Sequence, residues 1–267
     1  MKALVFLGFA LAVTLAAAGC TGTGSAPATP TATPAAGGGV NETLALFASG
    51  TGTLLNATDV DVSGAAAELG RTGLAGSAAD AVLLNISRSA AFVVDAVAYA
   101  PDGRVLAAAP ARFGSLVGTN LTDARTPADF YEMAYLGPYD QLAEGFLGVA
   151  LGYPVTDTDR TAVGGVSVAM RPEILLKGPA EAARGNRPLG LFAVQTNGII
   201  LYADDPALVG KQMNQPGTGL AGLAAQITET RSGVATHRPA NAAADRTVAW
   251  ESVGLHGTEW RLVVAQR

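Results

Sequence analysis

The spacing of apolar residues divides the chain into helical and strand segments. Between residues 41 and 88, Ala, Leu and Val recur at helical spacings broken by glycines, which predicts one or two helices before the first strand. Two later segments, 173–183 and 220–230, also have helical spacing. The polar and aromatic segment 126–142 is predicted to form a short helix with loops.

Short β-rich runs separated by turn signals predict antiparallel hairpins. Pro101-Asp102-Gly103 and Asn197-Gly198 are such signals, because Asp-Gly and Asn-Gly favour tight hairpin turns. Strands are predicted at 91–99, 104–109, 145–154, 163–170, 191–196, 199–202, 233–237, 247–255 and 259–265. The pattern therefore predicts an α+β fold with antiparallel sheets.

The second half of the chain repeats the order of the first. Each half has a strand, a turn with glycine and a return strand, followed by a Leu-Val-Gly triplet that ends at Gly118 in the first half and at Gly210 in the second. A repeat of this kind indicates a duplicated unit. We expect a first unit, with its entry helices, at 40–183 and a second unit at 184–267.

The N-terminal residues have the pattern of a secretory signal. Lys2 precedes an apolar run that is too short to span a bilayer comfortably, and small residues lead to Cys20. Together they resemble a lipobox, which predicts a signal peptide at 1–19 and a lipid on Cys20. Residues 20–39, rich in Thr, Pro, Ala and Gly, are predicted to be a linker. The alternative is an ordinary secretory peptide with a chance cysteine.

Composition limits the function further. The net charge is −5, and the 17 basic residues form no cluster, which argues against nucleic acid as a partner. Cys20 is the only cysteine, so we expect no internal disulfide. No later stretch is long and apolar enough to cross a membrane, so we expect no direct connection to the cytoplasm.

No motif predicts catalysis, a cofactor or a metal. His237 and His256 are the only histidines, and we expect His237 to be structural and His256 to be a surface residue of a hairpin turn. The glycines at 217–222 match G-x-G-x-x-G but do not follow a strand, so a loop is expected there. Asp157 and Asp159 begin like a calcium loop, but the later ligands are missing.

Aromatic residues concentrate between Asp123 and Tyr153. Tyrosine combines an apolar ring with a hydroxyl, which suits a small-molecule site, although these rings could equally form a core. If residues 131, 135 and 139 are helical, their tyrosines share one face. The candidate ligand-binding residues are Arg125, Phe130, Tyr131, Tyr135, Tyr139, Asp140 and Tyr153. Arg125 is the candidate partner for a carboxylate, and Asp140 is the candidate partner for an amine.

The order of hairpins, the "YPV" strand, the terminal "EWRLVV" strand and above all "NGIILYADDPALVGKQM" resemble the double Cache sensor domains. The resemblance implies an N-terminal helix followed by two tandem PAS-like units with antiparallel sheets, outside the membrane, with a small molecule bound in the first unit. The segment "DFYEMAYLGPYDQ" lacks the Arg typical of the amino-acid-binding subgroup, so amino acids are not favoured.

The function expected from these observations is a lipid-anchored extracytoplasmic protein, not an enzyme, that binds a small organic ligand without a cofactor. It would act through a separate partner such as a transmembrane kinase, chemoreceptor or transporter. The alternative is a structural envelope lipoprotein with the same fold and no ligand.

Overall fold

A computed structural model describes residues 38–121, 132–238 and 244–267. The described residues form one compact unit. The predicted signal peptide, linker and Cys20 lie outside the described residues, apart from the last two positions of the linker. Among the described residues, no helix is both long and apolar enough to cross a membrane.

The chain begins with two helices, as the apolar spacing predicts. Helix α1 spans Gly38–Thr72, and α2 spans Ser77–Ser87. One stripe of α1 is buried at helical spacing and faces the core that both sheets share; it includes Val40, Leu44, Phe47, Leu55, Val62 and Leu69. Helix α1 ends at Gly73, whose φ of +94° is in the left-handed region and whose N–H bonds to Leu69 O.

The first sheet is antiparallel and has the order β2-β1-β6-β5-β3, with β4 also paired to β5. Its strands are β1 (Val93–Tyr99), β2 (Val105–Ala109), β3 (Tyr135–Leu136), β4 (Asp140–Gln141), β5 (Leu147–Thr156) and β6 (Ala162–Met170). Helix α3 (Pro172–Arg184) follows and ends at Gly185. The two longest strands, β5 and β6, pair at the centre of the sheet, and the short strands β2, β3 and β4 lie at its edges.

The second sheet is also antiparallel and has the order β8-β7-β11-β10-β9. Its strands are β7 (Leu189–Gln195), β8 (Ile200–Ala203), β9 (Ser232–His237), β10 (Arg246–Leu255) and β11 (Thr258–Gln266), with α4 (Ala224–Glu229) before β9. The α+β prediction of an N-terminal helix and two tandem PAS-like antiparallel sheets is confirmed. The proposed domain limits, 40–183 and 184–267, stay a prediction.

The repeat read from the sequence is present in the backbone hydrogen bonds. Gly118 N–H donates to Val105 O on β2, and Gly210 N–H donates to Ile200 O on β8, at 2.9 and 2.8 Å. Both glycines have φ near +80°, a conformation that side chains rarely adopt. Two further backbone hydrogen bonds correspond in the two halves. The bond from Val105 N–H to Thr119 O corresponds to the bond from Ile200 N–H to Lys211 O. The bond from Leu121 N–H to Gly103 O corresponds to the bond from Met213 N–H to Gly198 O.

The helix predicted at 126–142 is wrong for its described part. Residues 132–142 contain β3 and β4, and Gly137 N–H donates to Ala150 O at 2.7 Å. Pro138 disfavours a helical conformation at the residue before it, while the exposed edge of β5 offers backbone partners to an extended chain. Consequently Tyr135 and Tyr139 do not share a helical face.

Candidate ligand-binding site

The two faces of the first sheet have different neighbours. Alternate residues of β1 point to opposite faces, so Ala96 and Ala98 belong to the core that includes α1 and α2. Val97 and Tyr99 point the other way and belong to a separate small cluster. Helices therefore cover one face of the sheet, and the opposite face is available for a site.

A cavity of about 370 Å³ lies over that opposite face. This volume is within the range of small-molecule sites in proteins. The described lining comes from β1, β3–β6, the β4–β5 loop, and the turn and strand β11 of the second sheet: Val97, Leu121, Tyr135, Leu136, Gly137, Pro138, Asp140, Gln141, Leu142, Ala143, Glu144, Ala150, Ser167, Ala169, His256 and Thr258.

Two tyrosine rings are fixed on the sheet by glycines. A Cβ on Gly152 would come within 2.3 Å of the Tyr135 ring, and one on Gly165 would come equally close to the Tyr99 ring. Both rings therefore lie directly on the backbone of β5 and β6. Burial raises the pKa of Tyr135 to about 12. Hydrogen bonds with Ser167 and Tyr99 lower this pKa, but by less than burial raises it. The Tyr135 hydroxyl is thus a neutral hydrogen-bonding group.

Two carboxyl groups, one on β1 and one in the β4–β5 loop, lie next to each other. Asp95 on β1 is fully buried and pairs in register with Ala169, which lines the cavity. Burial, followed by the charge of Glu144, raises the pKa of Asp95 to about 8; Arg112 and the backbone N–H of Ala169 lower it by less. Burial also raises the pKa of Glu144. The raised pKa favours the protonated form of Asp95 near neutral pH.

The second sheet provides one wall of the cavity. The β10–β11 turn contains His256 and Gly257, both with positive φ, and His256 and Thr258 reach the cavity. Thr258 Oγ1 donates to Leu136 O at 2.5 Å, which connects the second sheet directly to β3. His256 Nε2 lies 2.6 Å from Asp59 Oδ1 on α1.

His256 is an exposed residue of the β10–β11 turn, as expected, although its imidazole is partly covered. The His256 and Asp59 side chains are each only 21% exposed, and the imidazole meets the Tyr153 ring edge to face at 5.4 Å. The imidazole is partly covered because it contacts Asp59 on α1 and Tyr153 on β5. Burial, with the hydrogen bond and charge of Asp59, raises the pKa of Tyr153 to about 12.

The structure brings together only part of the predicted site. Tyr135 and Asp140 line the cavity. Tyr139 is buried on the other side of its segment, where its N–H donates to Gln195 Oε1 at 2.7 Å. Tyr153 contacts His256 and is not part of the described lining. The candidates Arg125, Phe130 and Tyr131 lie outside the described residues.

Sequence reasoning missed the cavity residues Glu144, Ser167 and His256 and the neighbouring Asp95. An acidic residue inside the otherwise apolar run of β1 was a usable signal, since a buried carboxyl in a strand needs a reason. Within the described ranges, no group of three or more His, Cys, Asp or Glu side chains could hold a metal ion.

An N-terminal helix, two tandem antiparallel sheets and a cavity on the face of the first sheet opposite α1 and α2 are features of the double Cache-like sensor-domain fold. Residues 53–172 match the family of HK/GC/chemotaxis protein-like sensor domains. That match and the structural neighbours, which are Cache-type extracellular ligand-binding domains, confirm the resemblance read from the sequence. The matched family is a sensor domain and not a catalytic one. No curated protein matches the sequence.

Three solved structures illustrate the similarity. An extracellular ligand-binding receptor from Desulfohalobium retbaense is 25% identical, with a TM-score of 0.73 over 84% of this chain and 39% of that chain. The ligand-binding domain of the Pseudomonas aeruginosa chemoreceptor PctB, in complex with L-Gln, is 18% identical, with a TM-score of 0.57 over 85% and 89%. The extracellular domain of a histidine kinase, rpHK1S-Z16, is 12% identical, with a TM-score of 0.62 over 85% and 91%.

This chain spans 39% of the length of the Desulfohalobium receptor chain. The likeness to PctB and the histidine kinase, below 25% identity, shows the fold alone. The match therefore identifies a sensor-domain fold, while the ligand and the partner of this chain are matters for proposal.

Proposed function

We propose that this chain is an extracytoplasmic sensory protein that binds a small organic molecule in the cavity over its first sheet. The observation that carries the proposal is the cavity itself, which combines about 370 Å³ of space with convergent polar groups. Tyr135 is held in place by the glycine beneath it, so the site is largely preformed. The protein is not proposed to be an enzyme.

We further propose that the chain is anchored by a lipid on Cys20 and acts through a separate membrane protein. The support is the lipobox-like sequence, since a diacylglycerol gives two acyl chains and two chains anchor stably. The partner we propose is a transmembrane kinase, chemoreceptor or transporter. Kinases and chemoreceptors are the proteins from which two of the similar structures come.

The test is a thermal-shift screen of small organic acids, amines and sugars on the purified full chain. Ala150→Phe, on β5 at the cavity, should abolish the shift caused by any hit because the added ring fills the space. Ala162→Phe is the matched control, since Ala162 is an exposed residue of β6 outside the cavity. Hits unaffected by Ala150→Phe would place binding elsewhere, and a screen without hits would favour the structural lipoprotein.

A further inference from the structure

We infer that the cavity selects a small organic cation, a protonated amine, which the carboxyls of Asp95 and Glu144 bind together. The inference rests on the proposed function, because it names the ligand class of the same cavity. It differs from an amino-acid site in requiring no positive group to hold a ligand carboxylate.

The position of Asp95 is the first argument. Its side chain is 0% exposed, and no hydrogen bond of normal geometry from the described residues reaches either carboxyl oxygen, although Glu144 and the Ala169 N–H lie close enough to act on its pKa. Strand alternation places Asp95 on the same face as Val97, which lines the cavity, and its register partner Ala169 lines the cavity too. Leaving such a group unsatisfied is costly, so a buried carboxyl on the cavity side of the sheet, next to the lining residues although not one of them, favours a ligand that supplies a donor.

The charge of the cavity is the second argument. Asp140 and Glu144 line it, and Asp95 lies beside Glu144. None of the described lining residues is Arg or Lys. Arg112, the cation that acts on Asp95, donates to Val94 O at 3.2 Å and lies over the Phe113 ring at 4.8 Å. The charges of the described residues around the cavity therefore favour a cation over an anion.

The carboxyl pair also predicts how binding depends on pH. The groups that act on Asp95 are Glu144 from the β4–β5 loop, Arg112 from the short helix after β2, and the N–H of Ala169 on β6. Without ligand, the raised pKa of Asp95 keeps a proton on this carboxyl near neutral pH. The ammonium group of the ligand supplies the missing hydrogen-bond donors and stabilises the ionised carboxyl. The proton of the carboxyl is therefore released to the buffer when the ligand binds. Binding should therefore strengthen as the pH rises from 6 to 8, where a primary amine remains protonated.

The test uses the full chain and three sets of matched probes: 1-aminopropane, 1-aminobutane and 2-phenylethylamine, each with the alcohol and the carboxylic acid of the same carbon skeleton. Calorimetry in two buffers of different ionisation enthalpy measures both affinity and proton release. At least one amine should bind with release of up to one proton, and its alcohol and acid should bind at least tenfold more weakly.

Glu144→Gln should weaken amine binding by about 10- to 150-fold, which corresponds to the loss of one hydrogen bond to a charged group. Asp95→Asn should abolish proton release. Glu251→Gln, a partly buried carboxyl of β10 in the second sheet, is the control and should change neither. If Asp95→Asn does not fold, Glu144→Gln carries the test on its own.

Two results separate the inference from the proposed function. If acids or amino acids bind, the amines do not, and Ala150→Phe abolishes the binding, the cavity is a ligand site but the inference of a cation is wrong. If amines bind without proton release and Glu144→Gln has no effect, the carboxyl pair is not the site. If no compound of any class binds, both the proposed function and this inference fail.

Discussion

Removing the buried charge of Asp95 should change how the stability of the protein depends on pH. Asp95→Asn keeps the shape of the side chain and removes the ionisable group. In the wild type, burial and Glu144 raise the pKa of Asp95 from its ordinary value of 3.8 to about 8. The folded state therefore binds a proton more tightly than the unfolded state does.

The sign follows from proton linkage. Because the folded pKa is above the unfolded one, the contribution of Asp95 to stability is fully present below about pH 4 and is lost as the pH rises towards about 8. Each tenfold change in proton affinity is worth about 1.4 kcal/mol, so the loss is at most about 6 kcal/mol. Asn carries no charge at any pH, so the variant should lack this decline.

The assay is urea unfolding followed by circular dichroism at several pH values between 4 and 8. Wild-type stability should fall across this interval by a few kcal/mol relative to Asp95→Asn, and the variant should be the more stable protein at pH 8. Glu251→Gln serves as the control for loss of a carboxyl outside the cavity. If the free energy of unfolding changes with pH in the same way for the wild type and Asp95→Asn, the reasoning is refuted. Asp95 would then have the same pKa in the folded and the unfolded state.

Three further changes test other parts of the structure. Gly152→Ala should destabilise the fold by about 1–3 kcal/mol and weaken ligand binding, because the new Cβ displaces the tyrosine ring above it, whereas Gly114→Ala, where a Cβ meets no atom within 4 Å, should do neither in thermal melts. His256→Asn and Asp59→Asn should each cost about 1 kcal/mol, and the double variant should cost no more than either alone in urea unfolding; additive losses would contradict the contact. Cys20→Ser should release the protein from membranes or leave it uncleaved in cell fractionation, and normal maturation with membrane retention would contradict lipidation.

The parts of the fold that depend on local sequence could be predicted. The Asn197-Gly198 turn and the two Val-Gly sites need backbone conformations that few residues adopt, so the sequence shows them directly. The apolar stripe of α1 has the helical period, which identifies both the helix and its buried face.

The site was harder to predict because distant segments create it. Tyr135 and Tyr139 have helical spacing, yet pairing with the edge of β5 makes their segment extended and separates the two rings. Glu144 meets Asp95 only after the sheet has formed. His256 joins the cavity because a turn of the second sheet packs against α1, and no local pattern reports such a contact.

Hydrogen–deuterium exchange of the full chain, with and without a hit from the ligand screen, tests the central claim most directly. The account predicts that the ligand slows exchange in the segments that surround the cavity, at 93–99, 135–152, 165–170 and 256–258. A second, smaller cavity of about 150 Å³ is lined by residues of the second sheet and of the connection between β8 and β9, including Asp205, Thr218 and Arg246. Protection confined to those residues, with the first sheet unchanged, would contradict the account.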